Sequence, residues 1–211
     1  MEKGARILSM MGADMDMFLR GGGRLSPEET LQVREDLRRI EQVFSRAKRA
    51  IITRESPGEG YPASRLEINI VPGSVVVDHG RLDRPGEVAN FPFGEVMCVP
   101  ALQGTQGTVV MDSVGGVGAA YLREPLQFEI ENGKAVAITS TGGEGVAFQE
   151  KLQMVQENTQ GNPFALAEFA IGANPRAVRE REGRMHPAPS PYEGEKAAGT
   201  IHLAFGNNIF I

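Results

Sequence analysis

Apolar positions along the chain fall into two periods. Between Leu31 and Phe44 they recur at Leu31, Val33, Leu37, Ile40, Val43 and Phe44, which is roughly helical spacing. Ser26 supplies an N-cap ahead of this run, Pro27 fits the first helical position, and Glu29 completes a capping box. The pattern predicts a helix opening at Ser26–Pro27. Arg34, Arg38, Arg39, Arg46, Lys48 and Arg49 are interleaved with Glu35, Asp36 and Glu41, so its polar side reads as a solvated face of mixed sign.

After Ala50 the period shortens. Ile51-Ile52-Thr53 predicts a short strand and Ser56 to Gly60 a loop. Leu66-Glu67-Ile68-Asn69-Ile70 alternates as a half-buried strand does, and Val75-Val76-Val77 follows a Pro72-Gly73 turn. Further strands are expected at Gly107–Asp112, Leu126–Ile130 and Lys134–Ile138, the last two joined by an Asn132-Gly133 hairpin turn. A second helix is expected from Gly145 to about Asn158, burying Val146, Phe148, Leu152, Met154 and Val155. Phe164–Ile171 is another apolar stretch, 181–196 reads as a polar loop, and Thr200–Phe205 as a buried strand. The fold class is α+β, a sheet-rich core of short strands with flanking helices. Residues 1–25 form a short lead-in rich in Met and Gly, with Met10, Met11, Met15, Met17 and Gly21-Gly22-Gly23. Residues 26–211 are expected to form one domain.

Composition narrows the function classes. The formal net charge of −5 argues against nucleic acid as a partner. No apolar run approaches the ~20 residues of a membrane-spanning helix, and a cytoplasmic location is the expectation. The single Cys98 excludes an intrachain disulfide and cysteine-based metal clusters. The 26 Gly and 13 Pro mark a chain rich in turns. Only His79, His186 and His202 are available for imidazole chemistry.

Two Gly-rich pieces, Gly115–Gly118 and Thr141–Gly145, lack the ending of a phosphate loop and the frame of a dinucleotide fingerprint. They read as turns and a helix N-terminus. Cys98 lies in Val96-Met97-Cys98-Val99 with no basic neighbour, and reads as a buried structural thiol. Glu95, Glu168 and His202 differ, because each sits inside an apolar, Gly-punctuated frame. Burying a carboxylate there is costly unless it is paired or metal-bound. On spacing alone a satisfied core histidine is the better reading of His202, and isolated Glu at strand ends are common.

Three segments carry a resemblance. Asn90-Phe91-Pro92-Phe93-Gly94-Glu95-Val96 matches an Asn-Leu-Pro-x-Gly-Glu-Val motif. Ala167–Pro175 matches a Glu-hydrophobic-small-Ile-Gly-x-Asn-Pro motif, and Glu195–Asn208 matches Glu-Lys-x-x-Gly-Thr-Ile-His-Ile-Ala-Leu-Gly-Asp-Asn. In order and spacing the chain resembles the C-terminal part of the thermophilic-type metallo-aminopeptidases, the aminopeptidase T and S group. It also resembles their relatives, the 2,5-dihydroxypyridine ring-cleaving dioxygenases. The resemblance implies that Glu95, Glu168 and His202 are metal ligands, holding one divalent ion (zinc, cobalt or iron) or surviving as an empty remnant. No catalytic residue is assigned. His79 and His186 fall on no ligand position of the family.

The resemblance also implies absences. The family has a further His-x-Asp ligand pair beyond the third segment and an α/β domain ahead of the Ser26 helix. Here the chain stops at Ile211 and begins with the Met-rich piece. The first expectation is therefore a truncated, aminopeptidase-like protein that binds a peptide, such as a precursor peptide in a biosynthetic pathway, without cleaving it. The alternative is a metal-dependent enzyme, an aminopeptidase or ring-cleaving dioxygenase, using Glu95, Glu168 and His202. A homodimer is expected, since Ile209-Phe210-Ile211 and uncovered edges would seek a partner chain.

Overall fold

The computed structural model describes residues 4–10, 13–55, 63–115, 120–178 and 191–207. The elements in chain order are β1 (Ile7–Ser9), α1 (Met15–Leu19), α2 (Pro27–Phe44), β2 (Arg49–Arg54), β3 (Ser64–Ile70), β4 (Val76–Asp78), β5 (Val88–Asn90) and β6 (Glu95–Cys98). They continue with β7 (Pro100–Val114), β8 (Ala120–Glu131), β9 (Lys134–Thr139), α3 (Glu144–Asn158), β10 (Leu166–Gly172), α4 (Pro191–Lys196) and β11 (Ile201–Phe205). The class is α+β with a sheet-rich core. The chain divides into two compact units. One is Met1–Arg46, Val75–Met97 and Ala170–His202; the other is Ala47–Ser74, Cys98–Phe169 and Leu203–Ile211.

The first unit holds α2, whose start is as the sequence predicts. The Ser26 hydroxyl accepts from the Glu29 amide, and the Glu29 carboxylate accepts from the Ser26 amide. Such a cap stabilises a helix by about 1 kcal/mol. Val33, Leu37 and Phe44 are buried, each contributing roughly 1.5–3 kcal/mol. Leu31 and Val43, expected on the same face, are exposed, because they lie off the stripe that runs 33, 37, 44. The basic residues pair with neighbouring acids, Arg38 with Glu35 at 2.9 Å and Arg39 with Asp36 at 3.5 Å. The Met-rich stretch contributes β1, which pairs in parallel with β5, and α1, where Met17 is fully buried.

In the second unit β2, β3, β7, β8 and β9 form one five-stranded sheet in that order. β3 buries Ser64, Leu66, Ile68 and Ile70 in alternation. Asn132 and Gly133, with φ of 46° and 69°, turn β8 into β9, the primed geometry that Asn-Gly favours. Phe128 stacks on Phe205 and meets Phe148 edge-on, with centroids 5.3 and 6.2 Å apart. α3 starts one residue earlier than expected. It buries Leu152, while Val146 and Met154 face solvent.

A four-stranded sheet runs in the order β11, β10, β6, β4. Two expectations here need correction. Residues 191–196, read as loop, are helical, and the helix buries two charged side chains, Glu193 and Lys196, which no apolar pattern marks. β11 is only half-buried, with Ile201 exposed and Leu203 its one buried side chain. The rest of the expected loop, His186 included, the 56–60 loop and Ile209-Phe210-Ile211 lie outside the described residues.

Candidate metal centre

Glu95 opens β6 immediately after Gly94, whose φ is +131°. A Cβ on Gly94 would meet the Asn174 Cβ at 2.8 Å, so only glycine lets the strand enter here. Asn174 is fully buried and uses its whole amide. Its Nδ2 donates to the Phe93 carbonyl at 2.8 Å and the Gly22 carbonyl at 3.1 Å. Its Oδ1 accepts from the Arg176 and Ala177 amides at 2.9 and 3.1 Å. The Ala173 amide adds a bond to the Gly94 carbonyl at 2.8 Å. The entry of Glu95 is thus fixed by backbone rather than by its own side chain.

His202 stands near the start of β11, half-buried, with Nδ1 3.5 Å from Glu95 Oε2. Glu168 lies on β10, the strand between β6 and β11. The unit boundary falls inside this strand, after Phe169, so the Glu168 backbone continues directly into Ala170 of the first unit. One ligand atom each from Glu95, Glu168 and His202 lies within 4.8 Å of the other two. The structure therefore brings together all three residues singled out in the sequence. His79 stands apart: its Nδ1 accepts from the Arg81 amide, and its carbonyl accepts from the Arg34 Nε.

Sequence reasoning missed a buried cation. Lys196, at the end of α4, is fully buried, and its Nζ donates to Glu95 Oε1 and to Glu195 Oε1, the latter at 2.5 Å. Glu195 Oε2 is 3.9 Å from His202 Nε2. Burial alone would discharge Lys196, but the Glu95 and Glu195 carboxylates outweigh it and raise its pKa. Burial likewise lifts the Glu95 carboxyl to about 7, against the pull of Lys196. Asp78 sits opposite Glu95 in the β4–β6 register and is pushed up to about 6, again chiefly by burial. Glu195 and Lys196 open the third motif in the sequence, but as adjacent opposite charges they read as an ordinary solvated pair.

Glu95 Oε2 is buried and accepts no hydrogen bond from the described residues. An orphaned carboxylate oxygen is costly in a native interior unless something cationic meets it. Two carboxylates and an imidazole converging on such an oxygen suit a divalent ion such as iron(II), cobalt(II) or zinc(II).

The sequence pattern of the 2,5-dihydroxypyridine 5,6-dioxygenase family, NicX, matches residues 1–208. The chain belongs to that family. The solved 2,5-dihydroxypyridine dioxygenase from Pseudomonas putida KT2440 is similar to this NicX-family chain, with a TM-score of 0.65 and 21% identity. The match covers 99% of this chain and 56% of that one, so the chain spans about half the length of that dioxygenase. At this identity the likeness shows a shared fold. Wild-type AmpT from Thermus thermophilus aligns with a TM-score of 0.44 and 18% identity, over 68% of this chain and 33% of that one. No curated protein matches. Among the described residues no helix is long and apolar enough to cross a membrane.

Proposed function

We propose that this NicX-family chain is a metal-dependent, ring-cleaving oxygenase whose substrate is a hydroxylated pyridine of the 2,5-dihydroxypyridine kind. Glu95, Glu168 and His202 hold one divalent ion. The observation that carries this reading is the convergence of these three residues around the unbonded, buried Oε2 of Glu95. When bound, iron(II) supplies the one-electron chemistry that allows dioxygen to react with an electron-rich ring. The chain's own residues do the positioning. Gly94 and Asn174 fix where Glu95 enters, and Lys196 occupies its other oxygen. Among the described residues, Glu195 and Asp78 are further acids beside Glu95.

Peptide binding without cleavage, the first expectation from the sequence, draws no support from the family match or from the described site. The family match and the Glu–Glu–His convergence favour the metal-dependent alternative, and within it the dioxygenase.

The test is to load the purified protein with iron(II) anaerobically, add 2,5-dihydroxypyridine and oxygen, and follow oxygen uptake with the ring absorbance. Oxygen uptake coupled to loss of the ring signal, with both abolished in Glu168→Ala and iron content falling with them, is the expected result. Iron binding without ring loss would overturn the substrate assignment. Absence of any stoichiometric divalent ion would overturn the whole reading.

A further inference from the structure

Lys196 is a lysine with no solvent exposure, held between two carboxylates, and the metal reading alone gives it no task. A buried ion pair is a poor device for stability. Desolvation costs several kcal/mol per ion, and an apolar pair often does as well. The local backbone is nonetheless built to place it. The Asn174 amide donates to the Lys196 carbonyl at 2.8 Å, and the Ala198 amide to the Asn174 carbonyl at 3.0 Å. Gly172 packs so closely under Glu195 and Lys196 that a Cβ there would stand 2.6 Å from the Glu195 carbonyl oxygen.

The two oxygens of Glu95 are treated differently. Oε1 takes the Lys196 ammonium, while Oε2 is left unbonded and lies 3.5 Å from His202 Nδ1. A carboxylate with one oxygen already occupied offers a metal a single oxygen. The charge follows from the same arrangement. Lys196 cancels one carboxylate of the group, whatever the state of Asp78, which stays in place in every variant tested.

We propose that Lys196 is the fixed cation of this site, a positioning residue that fixes Glu95 as a one-oxygen ligand and sets the local charge so that a divalent ion is preferred over a trivalent one. The proposal rests on the metal reading of Glu95, Glu168 and His202. Its physical basis is Coulombic. One unit of fixed charge a few ångströms from an ion is worth more than about tenfold in affinity per unit of ion charge at protein-like dielectric. Loss of ligand orientation affects both ions alike, whereas the charge term acts more strongly on the trivalent one. The ratio of the two affinities separates these effects.

The experiment titrates metal-free protein with manganese(II) and with terbium(III) by calorimetry, and compares the terbium-to-manganese affinity ratio across a charge series. Lys196→Met should raise the ratio about tenfold or more, and Lys196→Arg should leave it near wild type. Glu195→Gln should lower it by a similar factor, and the double variant Lys196→Met with Glu195→Gln should return it to wild type. If Lys196→Met does not fold, Glu195→Gln against the double variant contains the same one-charge step. A ratio that stays constant across the series, with manganese binding still abolished in Glu95→Gln, overturns this proposal and leaves the metal site standing. Wild-type protein that binds no manganese, or binding indifferent to Glu95→Gln, overturns the metal reading and this proposal with it.

Discussion

Gly172→Ala is a small change with a calculable penalty. The residue ends β10, and its amide donates to the Thr200 carbonyl while its own carbonyl accepts from Gly199, both at 3.0 Å. These two bonds hold the strand in place. An added Cβ would lie 2.6 Å from the Glu195 carbonyl oxygen and 2.8 Å from the Lys196 carbonyl carbon, with the Ala197 oxygen closer still. All three are backbone atoms, so no side chain can swing away. Such contacts do not occur below about 3 Å, and the 195–197 segment must retreat by several tenths of an ångström. Overpacking of this kind costs about 2 kcal/mol, which for a chain of this size lowers Tm by roughly 4–8 °C. The displaced segment carries both Glu195 and Lys196, so divalent affinity should fall with stability, by about tenfold as for other supporting contacts of a metal site. Thermal unfolding followed by manganese calorimetry at a temperature where the variant is fully folded measures both. A Tm within about 1 °C of wild type together with unchanged affinity would refute the argument that this glycine is required by close approach.

Other outcomes turn on single residues. Phe128→Ala removes a ring packed between Phe205 and Phe148 and should cost about 3–5 kcal/mol in denaturant titrations. The Glu124 carboxylate accepts from the Thr141 hydroxyl and from the Gly142 and Glu144 amides at the start of α3. Its hydrogen bonds, that from Thr141 foremost, hold it at about 2 against an ordinary value near 4.5. Its contribution is therefore present above pH 4.5 and lost as pH falls through about 2. Acid melts of wild type should converge on those of Glu124→Gln in that window, and parallel curves would argue against a stabilising role for these hydrogen bonds. Burial, with the nearby Glu168 charge, pushes the Cys98 thiol up to about 12. The folded protein should resist iodoacetamide at pH 8 and react only once unfolded, as mass spectrometry can follow.

The parts of the fold legible in the sequence are those where one local signal suffices. The Ser26 capping box, the Asn132-Gly133 turn and the alternation in β3 each encode their own geometry. Legibility fails where burial is decided from elsewhere. Leu31 and Val43 satisfy helical spacing yet face solvent, and α4 is built around buried Glu193 and Lys196, which no apolar pattern can reveal. Glu95, Glu168 and His202 are recognisable as ionisable residues in apolar frames, but only the motif resemblance ties them together, since they lie far apart in the chain. Lys196 escapes because its partners are Glu95, 101 residues away, and an immediate neighbour that makes the pair look ordinary.

The bonds of Asn174 also carry a consequence for how the protein comes into being. This one side chain joins the Gly22 carbonyl, 152 residues earlier in the chain, to the Phe93 carbonyl and to the backbone just after itself. Closing loops of that length is entropically slow, and contacts so distant in sequence form only after most of the chain has collapsed. Nascent chains on the ribosome therefore carry Glu95 made but not yet placed while residues 96 to 174 are added. Placement of Glu95 arrives as a late event, once Asn174 and the residues just after it have emerged and its bonds to Gly22 and Phe93 can close.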